Sequence, residues 1–334
     1  MPPHSHPSWP FALVARKQPT YILVGILLGA LHFGVCMLAR SYLPMRASGE
    51  GWVMHIRPGW GIPIYFSLEL TYLILTAHFA LRGAYADCKA LRGVVDTRAA
   101  DETLARFTRV PRLAWLVVPL VGCGFWAAHM AAMGELTQLA QWYSRMPGYS
   151  VFTNTDVFVF EIFVTLIVCA FIRSAWLLYR LGLCVGEVDP LDVHPLHRFS
   201  RSGPRMALCL AGSLVLALPL AGFDISFFAV PLAITTLASL ALFLLPLVGV
   251  RRQIVRAKKT AMDLLGRALA GDLEALQSTR FAGVQELSEL VILRQAVADT
   301  PTWPVSQAGW RRFATYVLLP LFSWLASEAF TALV

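Results

Sequence analysis

Charge is scarce in this 334-residue chain. Asp, Glu, Lys and Arg make up 14% of it, against about 25% in a typical soluble domain. The deficit argues against two or three soluble domains and for one polytopic membrane domain with modest polar parts. Cysteine pairs are missing too. Cys36, Cys88, Cys123, Cys169, Cys184 and Cys209 form no CxxC, so they read as small buried hydrophobes, not a disulfide framework or a zinc ribbon. There is no phosphate-cradling glycine loop, no dinucleotide fingerprint, no nucleophile elbow and no HExxH. No catalytic residue and no cofactor is therefore expected. Internal repeats, low-complexity tracts and a signal-type cleavage site after the first apolar run are also lacking, so that run reads as a retained span.

What the chain has is apolar length. Hydrophobic residues reach 57% and the mean hydropathy is +0.60. Residues 227–259 organise the rest: more than twenty apolar residues run into Arg251, Arg252, Arg256, Lys258 and Lys259. About 20 helical residues rising 1.5 Å each cover a ~30 Å hydrocarbon core. The basic end of such a span stays cytoplasmic.

The same reading gives an all-α protein of seven transmembrane helices, at about 20–39, 62–81, 113–134, 156–181, 206–222, 227–250 and 313–334. Residues 1–19 form an inner tail, 20–250 a six-helix bundle, 251–300 an amphipathic inner segment, and 301–334 the PTWP turn with the last span. A short surface helix is expected within 97–110 and another near 136–143. Prolines 219, 231 and 246 are expected to kink their helices, and Gly271 and Gly283 to interrupt the amphipathic segment. Inner positions hold 23 of the 28 Lys and Arg residues, and the outer loops only Arg40, Arg46, Arg57 and Arg145. That asymmetry predicts a cytoplasmic N-terminus and an exterior C-terminus. The composition fits the inner membrane of a bacterium.

The net charge of +8 sits at span ends without a groove-reading motif, so no nucleic-acid partner is expected. The partner it indicates is the lipid bilayer, through its anionic headgroups.

Ionisable residues inside a bilayer cost several kcal/mol and mark working sites. By helical rise, His32 lies ~18 Å from the inner start of its span and Glu69 ~11 Å from the outer start of the next, so their depths nearly coincide. His129 and Glu161 both fall ~6 Å from the outer side. Two His–carboxylate pairs in the outer half suit a proton relay, a cation site or, as a minority reading, a metal or haem site. The structural alternative is that each group is satisfied by a neighbouring helix and locks the bundle. Arg173 is expected to snorkel to the inner interface. Gly122 and Gly124 indicate close helix packing. His194 and His197 are expected in a loop, Pro195 denying them a shared helical face.

The last span carries Thr315–Tyr316, five residues with Pro320 among them, then Phe322–Ser323. With the predicted topology, this resembles the insect odorant and gustatory receptor superfamily of seven-helix ligand-gated cation channels. Their last helix carries Thr-Tyr, five apolar residues and Gln-Phe; the Gln-Phe half is absent here. The resemblance implies a homotetramer whose last helices line a shared pore, with Thr315, Tyr316, Pro320 and Phe322 lining or kinking it. A channel-like or ligand-sensing subunit is the leading expectation, and a proton- or cation-coupled transporter the alternative.

Overall fold

The computed structural model describes residues 18–42, 61–107, 114–132, 147–217, 225–272, 274–277, 281, 284 and 286–333. Among these residues the chain is helical throughout, apart from turns and one isolated bridge, Val95–Val185. The helices are α1 (Gln18–Tyr42), α2 (Gly61–Ala90), α3 (Thr97–Phe107), α4 (Ala114–Ala132), α5 (Pro147–Leu183), α6 (Ser202–Ala217), α7 (Ile225–Leu269), α8 (Glu274–Gln277), α9 (Leu287–Asp299) and α10 (Gln307–Leu333). A 3-10 segment, His194–Ser200, leads into α6. Among the described residues three stretches are long and apolar enough to cross a bilayer: Ile64–Ala90, Phe158–Leu183 and Leu232–Leu269. A shorter apolar stretch, Ile22–Cys36, lies in α1.

Four helices form the centre. α2 packs on α6, α6 on α7, and α7 on α5, while α1 lies chiefly against α2, α4 against α5 and α10 against α6. Small residues set the closest approaches. A Cβ on Gly182 of α5 would lie 2.9 Å from the Val250 backbone nitrogen of α7, and Gly249 faces the Tyr179 carbonyl in return. Gly122 does the same for α4, where a Cβ would lie 3.0 Å from Ile162 Cα. Gly124 meets nothing within 4 Å, so only the first of these two glycines supports the packing reading. Backbones approach this closely only where one partner has no side chain.

Helix ends follow burial more than charge. The second span was expected to stop at residue 81 before Arg82, yet α2 continues to Ala90. Its seam of Leu73, Ala77, Leu81, Ala84 and Cys88, none more than 1% exposed, carries on past the arginine to Leu91. α5 begins at Pro147, where a proline loses nothing because its N–H has no helical partner. α7 runs unbroken through Pro231 and Pro246 for 45 residues, about 67 Å at 1.5 Å each. Such a helix is long enough to cross a ~30 Å hydrocarbon core and continue as far again. Pro219, Gly283 and the 136–143 segment fall outside the described residues.

The extension of α7 has its own core. Ala261, Leu265 and Ala268 bury against Leu276, Phe281, Leu290 and Val297, the apolar face read from the sequence. α7 ends before Gly271, whose φ of 104° is the left-handed conformation that favours glycine. Lys258 reaches the end of α9, donating to the Ala298 carbonyl at 2.5 Å and the Thr300 carbonyl at 2.9 Å. A cation there satisfies carbonyls that have no helical donor. The next helix starts only at Gln307, beyond the PTWP turn, where Trp303 lies under the Arg251 guanidinium at 4.6 Å. α3 is the expected surface helix. Asp96 accepts from the Arg98 and Ala99 N–H groups at 3.3 Å as its cap, and Ala100, Thr103, Leu104 and Phe107 bury beneath it.

Candidate functional site

α2 presents polar groups to two neighbours at once. On the side facing α1, Gly25, Gly29, His32 and Cys36 recur at spacings of four, three and four, one face of a helix. Gly29 lets Thr71 approach, and Thr71 bonds back to the Ser67 carbonyl at 2.8 Å. One turn on, His32 Nδ1 lies 2.8 Å from Ser67 Oγ. Cys36 Sγ lies 3.7 Å from Nε2 and 3.8 Å from Nδ1 of the same ring.

Glu69 is two residues from Ser67, a rotation of ~200° around the helix, so it faces α6 instead. The depth match between His32 and Glu69 survives in the structure, but the helix turns them away from each other. Glu69 is 3% exposed. The Ser213 hydroxyl of α6 donates to its Oε1, while Oε2 is buried with no hydrogen-bond partner among the described residues. Glu161 of α5 is half-buried and close enough for its charge to act on Glu69.

Below Glu69, polar contacts with α6 recur at intervals among buried apolar side chains. Tyr72 donates to the Leu208 carbonyl at 2.7 Å, in room left by Gly212. Thr76 Oγ1 lies 2.9 Å from Cys209 Sγ. Gly83 makes way for Arg205, whose guanidinium pairs with Asp87 at 2.6 Å and lies over the Phe79 ring at 5.7 Å. Glu69, Tyr72, Thr76, Gly83 and Asp87 thus form one seam at spacings of three, four, seven and four. From Glu69 to Asp87 is 18 residues, ~27 Å of helix. Of these residues Glu69 was singled out from the sequence, and Ser213, Asp87 and Arg205 were missed. That spacing was the available signal.

The remaining candidates are dispersed. His129 belongs to α4, and its side chain lies outside the described residues. It is seven residues from Gly122, ~10 Å along the axis, whereas Glu161 adjoins Ile162 at the level of Gly122. On α10, Pro320 is buried and Tyr316 packs on the core. Thr315 and Phe322 are exposed on another face, with Thr315 bonded back to the Arg311 carbonyl at 3.0 Å. The four do not share a surface. Arg173 donates to the Arg106 carbonyl of α3 at 2.8 Å.

The histidines of the connector correct an expectation. Pro195 does not leave them in an irregular loop but sits in the first turn of the 3-10 segment, where its missing N–H costs nothing. Three residues per turn eclipse positions i and i+3, so the His194 and His197 rings lie 5.1 Å apart. Burial, then the neighbouring His194 and Arg201, hold His197 below its ordinary pKa of 6.5.

Among the described residues no group of three or more His, Cys, Asp or Glu side chains is arranged to hold a metal ion. What the chain does bring together is a buried carboxylate, Glu69, and the Ser213 hydroxyl of α6. Comparison with family models, with curated proteins and with solved structures finds no match for this chain.

Proposed function

We propose that the chain is a multi-pass membrane protein whose central seam takes up and passes a proton or a small cation. One observation carries this reading. Glu69 is almost fully buried, held by Ser213 on one oxygen and without a hydrogen bond on the other among the described residues, and the charge of Glu161 on α5 acts on it. Two carboxylates in a medium of low dielectric constant repel one another, and a proton or cation shared between them relieves that repulsion. Ser213, Tyr72, Thr76 and Asp87 extend polar groups from that point along most of a ~30 Å core.

In this reading the protein lies in a bacterial-type inner membrane. It has seven spans, an interior N-terminus and an exterior C-terminus, with the α7 extension, α8 and α9 on the cytoplasmic side. The three apolar stretches support a membrane location, and the charge asymmetry supports the orientation.

A channel of several copies, such as the tetramer that the family resemblance implies, is the second reading. The observation favouring it is the exposed stripe Thr315, Leu318, Phe322 and Leu325 on α10, spaced three, four and three apart, which a neighbouring copy would cover. The ion-site reading is tested by infrared spectroscopy of the carboxyl groups during titration with protons and with Na⁺ or K⁺. A carboxyl band that responds to the ion and vanishes in Glu69→Gln is expected; an identical response in that variant refutes it.

A further inference from the structure

At the far end of the seam from Glu69, three arginines act on one carboxylate. Asp87 is 7% exposed and feels the charges of Arg205, Arg201 and Arg198. Only Arg205 pairs with it. Arg198 spends its guanidinium on the Ala90 carbonyl at 2.6 Å, closing the end of α2 without neutralising any charge. Arg201 is exposed and makes no ion pair among the described residues. The cluster therefore carries positive charge in excess of the carboxylate it surrounds.

Its apolar side is equally specific. Phe79 is 50% exposed on α2, one face of its ring under the Arg205 guanidinium. An exposed aromatic ring on a membrane-crossing helix, roofed by a guanidinium, joins a surface suited to an acyl chain with one suited to a phosphate. Guanidinium groups bind phosphate oxygens in a fixed two-pronged geometry. Clusters of this kind at the cytoplasmic ends of helices attract anionic lipid.

We propose that Arg201, with Arg198 and Arg205, binds the phosphate of an anionic phospholipid whose chain lies along Phe79. This site rests on the membrane reading above and is independent of ion passage at Glu69. Asp87 orients Arg205.

The test is thermal unfolding of the full chain, purified in nonionic detergent and titrated with phosphatidylglycerol, phosphatidylcholine or inorganic phosphate. The wild-type midpoint is expected to rise with phosphatidylglycerol and not with phosphatidylcholine. Arg201→Gln alters an exposed side chain that holds nothing in the fold, and is expected to need about fivefold more lipid for the same rise. Arg201→Glu is expected to need more still. Equal responses in wild type and both variants overturn the site, as does a wild-type midpoint indifferent to phosphatidylglycerol. A rise produced equally by inorganic phosphate assigns the pocket to a soluble phosphate and overturns the lipid. Release of the protein from membranes by alkaline carbonate overturns the membrane reading itself, which separates that failure from a failure of this site alone.

Discussion

Glu69 and Ser67 stand two positions apart on α2, and that interval decides what each can do. Ser67 meets His32 on α1, whereas Glu69 meets Ser213 on α6 and the charge of Glu161 on α5. Depth was legible from the sequence, because rise per residue is fixed. Direction was not, because both flanks of α2 are apolar between the polar positions, and nothing in the sequence says which neighbour covers which flank. Ser213 shows the same limit, since a serine on an apolar helix reads as a group bonded to its own backbone until a partner is seen. At this scale His197 gives a pH dependence. Its folded-state pKa lies below 6.5, so between those values the unfolded chain binds more protons than the folded one, and stability rises with pH. The His197 contribution is fully present above pH 6.5 and is lost as the pH falls through the depressed folded value. Unfolding midpoints measured down through that window are expected to fall less in His197→Asn than in the wild type. Parallel curves would remove His197 from the account.

The long apolar elements were readable because their length and periodicity are properties of the chain itself. The apolar face of residues 254–269 and the break at Gly271 were seen in the same way, and α3 was placed to within a turn. The boundaries that went wrong did so for one reason. Arg82 was taken as the end of a span, but a helix continues as long as its buried face does, and Ala84, Cys88 and Leu91 keep that face apolar. Pro246 was expected to kink α7, and the helix runs through it without a break. The α7–α9 contact turns on Lys258, which closes the C-terminal end of α9. Lys258→Met keeps the aliphatic stem and removes the donor, at a cost of about 1 kcal/mol. Hydrogen exchange of the amides in 287–299 is expected to speed up about fivefold by local opening, with the α2 amides unchanged. Equal acceleration in both helices would mean that α9 is not an independent unit.

For the whole molecule, the seam along α2 and α6 is the feature on which the proposed function rests, since it places a carboxylate near each end of one helix. Orientation of the chain can be read with a native residue. Cys184 is exposed, Cys36, Cys88 and Cys209 are buried, and Cys123 and Cys169 are half-covered on α4 and α5. A membrane-impermeant thiol reagent is expected to label Cys184 in inside-out vesicles and to leave it unlabelled in intact cells. Labelling in intact cells would reverse the topology. The central claim is that the Glu69–Glu161 pair passes an ion, and its most direct test is flux into proteoliposomes under an imposed proton or cation gradient. Wild-type protein is expected to dissipate the gradient, and Glu69→Gln, with an unchanged unfolding midpoint, to fall to the rate of empty liposomes. A folded Glu69→Gln variant that conducts as well as the wild type would contradict the account.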